Sequence, residues 1–268
     1  MTPQVTSADG TRIGYRSRGT GPGLVVLSGA LLTGADYDGL AAHLPGLTVH
    51  LVDRRGRGTS GPQGPGYGIE TEVADLAAVV RATGARYAFG HSFGGLVVLQ
   101  AALREPALLD RVAAYEPAVS VDGSIPRGFV PSFAEAVAAG RESRAATLLI
   151  QGLEVGGPLN RVPYPVATAM SWLLLRTAGR SMRATLPTVP AEVGAGIALD
   201  GPAEAYAAVP IPVLLLTGAR GPSYLRTAAA AVATAIPKAR HIDLPALDHA
   251  GPQAAPEQVA TALRNFFD

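Results

Sequence analysis

The chain contains no cysteine, which removes disulfide bonds, thiolate nucleophiles and cysteine-ligated metal sites from its chemistry. Charged side chains are also scarce, at 16% of the 268 residues, and the formal net charge is +1. Such a chain has no basic field to attract nucleic acid, so we expect no nucleic-acid partner. Its five histidines are scattered along the sequence. We therefore expect neither a bound metal nor a cofactor.

Long apolar runs are missing as well. No run reaches the length needed to cross a membrane, and residues 1–10 lack a basic stretch followed by an apolar core. We therefore expect a soluble cytoplasmic protein, monomeric or homodimeric, that acts on a small molecule and does not contact a membrane. The hydrophobic fraction of 48% is ample for a core.

Strand and helix signals alternate along much of the chain. This alternation predicts a parallel sheet with helices on both faces and a ligand site beyond the carboxyl ends of the strands. Strand composition is found at 11–18, 24–27, 48–52, 85–89, 112–115, 212–217 and 240–244, and helical patterns at 35–44, 69–83, 223–235 and 256–267.

The alternation is interrupted after the strand that ends at Tyr115. Helix-like stretches at 133–151 and 166–180 follow, separated by proline and glycine clusters. We interpret this segment as a helical lid over the strand ends, with an ordinary helical subdomain that gates nothing as the alternative. The predicted division is a core of residues 1–117 and 210–268 and a lid of residues 118–209.

A serine stands between two glycines in Gly90-His91-Ser92-Phe93-Gly94, where an apolar strand turns abruptly into a helix. A serine on so tight a turn is held in a strained backbone conformation, and the glycines let the strand and the helix approach each other. The pattern alone is weak evidence in a glycine-rich chain, so the prediction depends on the strand before it and the helix after it. Ser92 is therefore a candidate nucleophile.

With three further segments, this turn resembles the α/β-hydrolase superfamily over nearly the whole chain. The resemblance implies the α/β-hydrolase fold, a mostly parallel central sheet flanked by helices with a helical lid inserted after strand six. The four segments, in the order expected, are Leu27-Ser28-Gly29-Ala30, the loop Asp53 to Ser60, the turn Gly90 to Gly94, and Asp248-His249-Ala250-Gly251.

A serine hydroxyl is a weak nucleophile unless a base takes its proton during attack. His249 is the candidate base, because it lies in the predicted loop between the last strand and the C-terminal helix. The alternative is a loop histidine with no catalytic role. We expect His91, inside the turn itself, to pack beside the nucleophile rather than to act in catalysis.

The orienting acid departs from the superfamily's commonest pattern, which has an aspartate shortly after strand seven. Residues 217–223 contain no carboxylate. The resemblance allows the acid to lie at the end of strand six instead, and Glu116 is found there. Strand six is expected beside strand five at a spacing of about 4.8 Å, so a glutamate could reach the histidine from that side. A surface role for Glu116, or a dyad that has no acid, remains open.

The resemblance also implies two backbone donors for the oxyanion that forms during attack. The N–H of Phe93 lies at a helix N-terminus, where the helix dipole adds positive potential. Ala30 matches the position after the loop glycine. Ser28 stands where the superfamily usually has a histidine, and we expect this difference to affect the packing of the loop more than catalysis.

Apolar side chains of the lid and of the loop near Ala30 are candidates for a substrate-binding wall. They are Leu31, Met170 and Trp172, and core packing explains the two lid residues, Met170 and Trp172, about equally well.

Together these residues predict an esterase-like serine hydrolase. Ser92 would attack a carbonyl carbon, His249 would move the proton and Glu116 would steady the imidazolium. The expected substrate is a small to medium, largely apolar carboxylic ester, lactone or thioester. Two alternatives remain open, because this fold hosts many functions: a non-hydrolytic ligand-binding or cyclase-like protein, and an acyltransferase or carbon-carbon bond hydrolase that uses the same residues.

Overall fold

The structure, a computed structural model, describes residues 2–177 and 180–268. Within these residues, eight strands form one sheet. The strands are β1 (Gln4–Thr6), β2 (Arg12–Arg18), β3 (Gly23–Leu27), β4 (Thr48–Val52), β5 (Tyr87–His91), β6 (Arg111–Tyr115), β7 (Val213–Gly218) and β8 (Ala239–Leu244).

The strand order is β1-β2-β4-β3-β5-β6-β7-β8. β2 pairs antiparallel with both β1 and β4, and all later pairs are parallel. The predicted sheet is thus confirmed as mostly parallel. β8 forms one edge and is half exposed, whereas β7 is buried along its whole length.

The sheet register aligns the carboxyl ends of the central strands. Leu27 lies opposite Gly90, which lies opposite Ala114, and Tyr115 lies opposite Leu216. The residues that follow β3, β5 and β6 therefore meet at one edge of the sheet. Ser92 and Glu116 are both among them.

Helices cover both faces of the sheet and bury an apolar core on each. They are α1 (Asp38–Ala42), α2 (Ile69–Thr83), α3 (Phe93–Arg104), α4 (Val130–Ala138), α5 (Glu142–Gly152), α6 (Tyr164–Thr177), α7 (Arg180–Thr185), α8 (Val189–Ala198), α9 (Ser223–Ala235), α10 (Gly251–Ala254) and α11 (Pro256–Phe267). Among the helices of the described residues, none has the length and hydrophobicity that a membrane crossing requires.

Helices α4 to α8 all lie between β6 and β7. We call residues 118–209 the inserted segment. It has a small apolar core of its own, in which Phe133, Leu149 and Val189 pack together with Leu31 of the loop after β3. The inserted segment is thus joined to the rest of the molecule at the same edge where the strand ends meet.

Several elements differ from the sequence predictions, and α8 and α10 were not predicted. The helix predicted at 133–151 is two helices, α4 and α5. Gly140 adopts a left-handed conformation (φ +64°), which ends α4. β5 lies at 87–91 rather than 85–89, since Gly90 and His91 continue its pairing with β6. The short strand β1 was not predicted. The helix predicted at 166–180 runs into residues 178 and 179, which lie outside the described residues.

Candidate active site

Ser92 occupies the turn between β5 and α3, with φ +52° and ψ −117°. Few residues other than glycine adopt this conformation, and it persists only where neighbours hold it. Here the Ser92 N–H donates to the Tyr115 carbonyl at 2.9 Å, and the Ser92 carbonyl accepts the Ala118 N–H at 3.0 Å. A side chain at Gly90 would overlap the backbone of Gly94. The two glycines of the motif thus permit the close crossing of strand and helix.

Glu116 and His249 form a direct hydrogen bond. The Glu116 Oε2 and His249 Nδ1 atoms are 2.6 Å apart, and the Glu116 side chain is fully buried while that of His249 is 14% exposed. The second carboxylate oxygen, Oε1, accepts the Gly218 N–H at 2.9 Å. Both oxygens therefore have a partner, and the carboxylate is fixed in one orientation.

The loop after β7 makes room for this carboxylate. A Cβ atom at Gly221 would overlap the Glu116 Oε1 atom. The acid from β6 therefore occupies space beside the loop in which the usual aspartate is missing. Glu116 itself has φ +41°, which turns its side chain out of the strand direction.

The loop that carries His249 is tied to β6. Tyr115 directly precedes Glu116 in the chain, and its hydroxyl donates to the Asp248 carbonyl at 2.6 Å. The Asp248 carboxylate accepts the Ala250 N–H at 2.9 Å, so it is engaged within its own loop. Of the two carboxylates near His249, Glu116 is the one that the structure aims at the imidazole.

His91 packs against the candidate base. The two imidazole centroids are 4.7 Å apart. The Tyr37 hydroxyl is 2.7 Å from His91 Nδ1 and also accepts the Gly29 N–H at 3.1 Å. Burial, together with the nearby His249, holds the pKa of His91 well below its usual range. His91 is thus neutral and links the Ser92 turn to the loop after β3.

The backbone donors implied for an oxyanion lie near Ser92. A Cβ atom on Gly29 would be 3.2 Å from the Ser92 Cβ, so the loop before Ala30 lies against the candidate nucleophile. Phe93 is the first residue of α3, where backbone N–H groups have no partner within the helix. In the described part of the chain, no acceptor is paired with the N–H of Ala30 or Phe93. Both donors are therefore free to bind a ligand.

A small cavity of about 50 Å³ adjoins Ser92. Apart from Ser92 and Glu192, its wall is made of apolar side chains and glycine. The lining residues are Ala30, Ser92, Phe93, Ala118, Ile125, Leu153, Glu192, Val193 and Gly196. The core and the inserted segment thus enclose this space together.

Three residues expected to bind substrate lie outside this wall. Met170 and Trp172 are half exposed on α6, and the Arg176 guanidinium lies 4.3 Å from the centroid of the Trp172 ring. Leu31 is buried among side chains of the inserted segment. The apolar composition of 170–175 did not reveal which face of α6 is buried, and the Ser171 and Leu175 side chains occupy that face.

Two features of the site were not predicted from the sequence. The first is Gly221, which leaves room for the Glu116 side chain. The only sequence signal for it was the absence of a carboxylate in the loop after β7. Glu192 reaches the loop after β3 through a buried contact with Arg54 and Arg57. An isolated glutamate among apolar residues of a predicted lid was the available signal.

Comparison with known proteins places this arrangement in a wider context. The chain is 39% identical over 97 residues to a non-heme haloperoxidase from Rhodococcus erythropolis, and this stretch covers 35% of each protein. It is 33% identical over 108 residues to lipase LipV from Mycobacterium tuberculosis, which covers 39% of this chain and 41% of the lipase. The aligned stretches thus span only about two fifths or less of these relatives.

The whole chain has a close structural counterpart. The crystal structure of an alpha/beta hydrolase from Sphaerobacter thermophilus superposes with a TM-score of 0.83 at 33% sequence identity, over 99% of this chain and 100% of that one. The sequence profile of the alpha/beta hydrolase family matches residues 24–262. This match includes the strand ends, Ser92, Glu116 and His249, and the protein is a member of the alpha/beta hydrolase family.

Proposed function

We propose that the protein is a serine esterase that hydrolyses esters with short, apolar acyl groups. The observation that carries this proposal is the small apolar cavity that Ser92 lines together with Ala30 and Phe93. A cavity of about 50 Å³ has room for only a few non-hydrogen atoms. The acyl group would occupy it, because acylation leaves that part of the ester on the serine.

The proposed mechanism assigns one role to each group. The Ser92 hydroxyl attacks the ester carbonyl while the His249 Nε2 atom takes its proton. Glu116 accepts the Nδ1–H of His249 and stabilises the imidazolium. The N–H groups of Ala30 and Phe93 donate to the developing oxyanion. His249 then protonates the leaving alcohol, and water attacks the acyl-enzyme by the same sequence in reverse.

A series of p-nitrophenyl esters tests this proposal. We expect kcat/KM to be highest for acetate to butyrate and to fall by at least about tenfold by octanoate, because a longer chain cannot enter without displacing protein atoms. The variant Ile125→Ala removes part of the wall and enlarges the cavity, so the acyl length that gives the highest kcat/KM should increase. A substitution far from the cavity, Thr234→Ala, should leave the profile unchanged.

Covalent labelling with a fluorophosphonate provides the second test. We expect the label on Ser92 and none on the Ser92→Ala variant. A folded wild-type protein that is not labelled and hydrolyses none of the esters would overturn the proposal. Labelling without hydrolysis would instead favour acyl transfer to another acceptor.

A further inference from the structure

A buried ionic cluster joins the inserted segment to the loop after β3. It consists of Arg54, Arg57, Glu72 and Glu192, all at most 4% exposed. Glu192 belongs to α8 of the inserted segment, Glu72 belongs to α2, and the arginines lie in the loop after β4. Two positive and two negative charges balance within the cluster, as a buried ionic group requires.

The two arginines hold the backbone that leads into Ala30. The Gly29 carbonyl accepts from Arg57 Nη1 at 3.0 Å and from Arg54 Nη2 at 3.4 Å. Arg57 also donates to the Leu32 carbonyl at 2.9 Å, and Arg54 to the Ser28 carbonyl at 2.9 Å. Three carbonyl groups of this loop are thus held by the two arginines.

The Gly29 carbonyl and the Ala30 N–H belong to the same peptide unit. In a trans peptide these two groups point in opposite directions, so fixing the carbonyl also fixes the N–H. A charged donor on the carbonyl further polarises the unit and strengthens its N–H as a donor. The Arg54 guanidinium also lies 4.9 Å from the centroid of the Phe93 ring. The cluster therefore contacts both the Gly29–Ala30 peptide unit and the side chain of Phe93.

Glu192 orients both guanidinium groups. Its Oε2 accepts from Arg54 Nη2 at 2.8 Å, and its Oε1 accepts from Arg57 and, at 3.0 Å, from the Thr188 hydroxyl. Burial raises the pKa of Glu192, but the charges of Arg54 and Arg57 more than offset this and lower it below the usual value. Glu192 is therefore ionised, and it lines the cavity beside Ser92 as well.

We propose that Glu192 is a positioning residue which, when α8 is docked, sets the Gly29–Ala30 peptide plane through Arg54 and Arg57 so that the Ala30 N–H faces Ser92. Its catalytic consequence rests on the proposed esterase function. The inserted segment then does more than cover the cavity, because its docking completes the oxyanion site. Without α8 docked, Arg54 keeps Glu72 but both arginines lose the Glu192 carboxylate, so the peptide plane is held less firmly.

The charge-balanced double variant Arg57→Met/Glu192→Met tests this role. Replacing a buried ion pair by apolar side chains of similar size is often neutral or stabilising, so we expect the Tm to stay within a few degrees of wild type. We expect kcat for p-nitrophenyl acetate to fall about 10- to 100-fold, less than the loss for complete removal of an oxyanion donor, with KM within about threefold. A double variant with wild-type kcat would overturn the proposal.

Two further variants control for folding. Glu192→Asp keeps the charge balance but withdraws the carboxylate by one methylene, and it should lower kcat by at least about fivefold with KM unchanged. If the double variant does not fold, Glu192→Asp serves as the test, and a wild-type kcat for Glu192→Asp would then refute the proposal. Glu142→Gln removes a carboxylate of the inserted segment that bonds to Arg183 instead, and it should leave kcat unchanged.

NMR observes the peptide unit without requiring any activity. Protein labelled with ¹³C-carbonyl glycine and ¹⁵N-alanine gives one HNCO signal for each of its five Gly-Ala pairs. The pairs are 29–30, 34–35, 84–85, 194–195 and 218–219. We expect the Gly29 carbonyl signal, assigned with Ala30→Ser, to move upfield in the double variant and in Glu192→Asp. An unchanged signal refutes the positioning role, whether or not the wild type proves to be an esterase.

Discussion

The variant Glu116→Gln examines the position of the acid most directly. The amide has the same shape as the carboxylate, and its oxygen can keep the bond from the Gly218 N–H, which is 2.9 Å long in the wild type. The NH₂ group must then face His249 Nδ1, where Oε2 lies at 2.6 Å. An NH₂ group can only donate, so Nδ1 becomes an acceptor and the imidazole proton moves to Nε2. In that tautomer, His249 cannot accept the proton of Ser92.

The size of the effect follows from this change of tautomer. Loss of the orienting carboxylate with unchanged geometry lowers kcat by about 10⁴ in a serine triad, or about 5 kcal/mol of transition-state stabilisation. Glu116 is fully buried, and both of its oxygens are bonded. We therefore expect a decrease in kcat of about 10³ to 10⁴, with KM within about threefold of wild type.

The assay is steady-state hydrolysis of p-nitrophenyl acetate, with the Tm measured in parallel. Asp248→Asn is the matched control, because it removes a carboxylate adjacent to His249 in sequence that bonds to the Ala250 N–H instead. We expect that variant to keep kcat within about threefold, far from the loss expected for a triad acid. If Glu116→Gln retains wild-type turnover, or if the two variants lose the same activity, Glu116 is not the acid.

Three more substitutions address other features of the site. Gly221→Ala places a methyl group against the Glu116 carboxylate, and we expect kcat to fall at least about tenfold while Glu116 is displaced; unchanged kinetics would contradict this reading. His91→Gln removes a group whose pKa is held low by burial; below the unfolded pKa of about 6.5 the unfolded wild type binds a proton that the folded protein does not. The stability that neutral His91 contributes is therefore present above this pH and decreases as the pH falls towards the pKa of the folded state. Between pH 7.5 and 5.5 the Tm of the variant should therefore fall less than that of the wild type. An equal fall in Tm would contradict a buried, neutral His91. Ser92→Gly relieves the positive φ that Ser92→Ala retains, and it should melt about 2–4 °C higher than Ser92→Ala, a gain of about 1 kcal/mol; an equal or lower Tm would mean that the turn stores no strain.

The sequence predicted the regular part of the fold well, because the elements there have clear local signals. α9 and α11 begin and end where their patterns predicted, between a proline or turn signal and a break in periodicity. In contrast, the break between α4 and α5 depends on the left-handed conformation of a single glycine, and glycine within an apolar helix pattern does not by itself predict a stop.

Sequence reasoning could predict only those residues of the candidate site that lie in motifs or at the ends of strands. Glu116 could be proposed because the family resemblance allows the acid to lie at the end of strand six, which was expected beside the strand that leads to Ser92. The contact of Glu192 with Arg57 spans 135 residues and joins helix α8 to the loop after β4, which share no local sequence pattern. Such a contact depends on how α8 packs, and tertiary packing is what composition and periodicity do not specify.

The location of Glu116 directly after β6 divides the proposed triad between two parts of the chain that differ in stability. Ser92 and Glu116 belong to one compact β5-α3-β6 unit at the centre of the sheet, whereas His249 follows β8, the half-exposed edge strand. Edge elements with exposed backbone open locally at a lower free energy than a buried centre. Transient fraying of this edge would therefore separate the base from an otherwise intact nucleophile and acid, so that catalytic competence reports the integrity of the C-terminal edge rather than that of the whole domain.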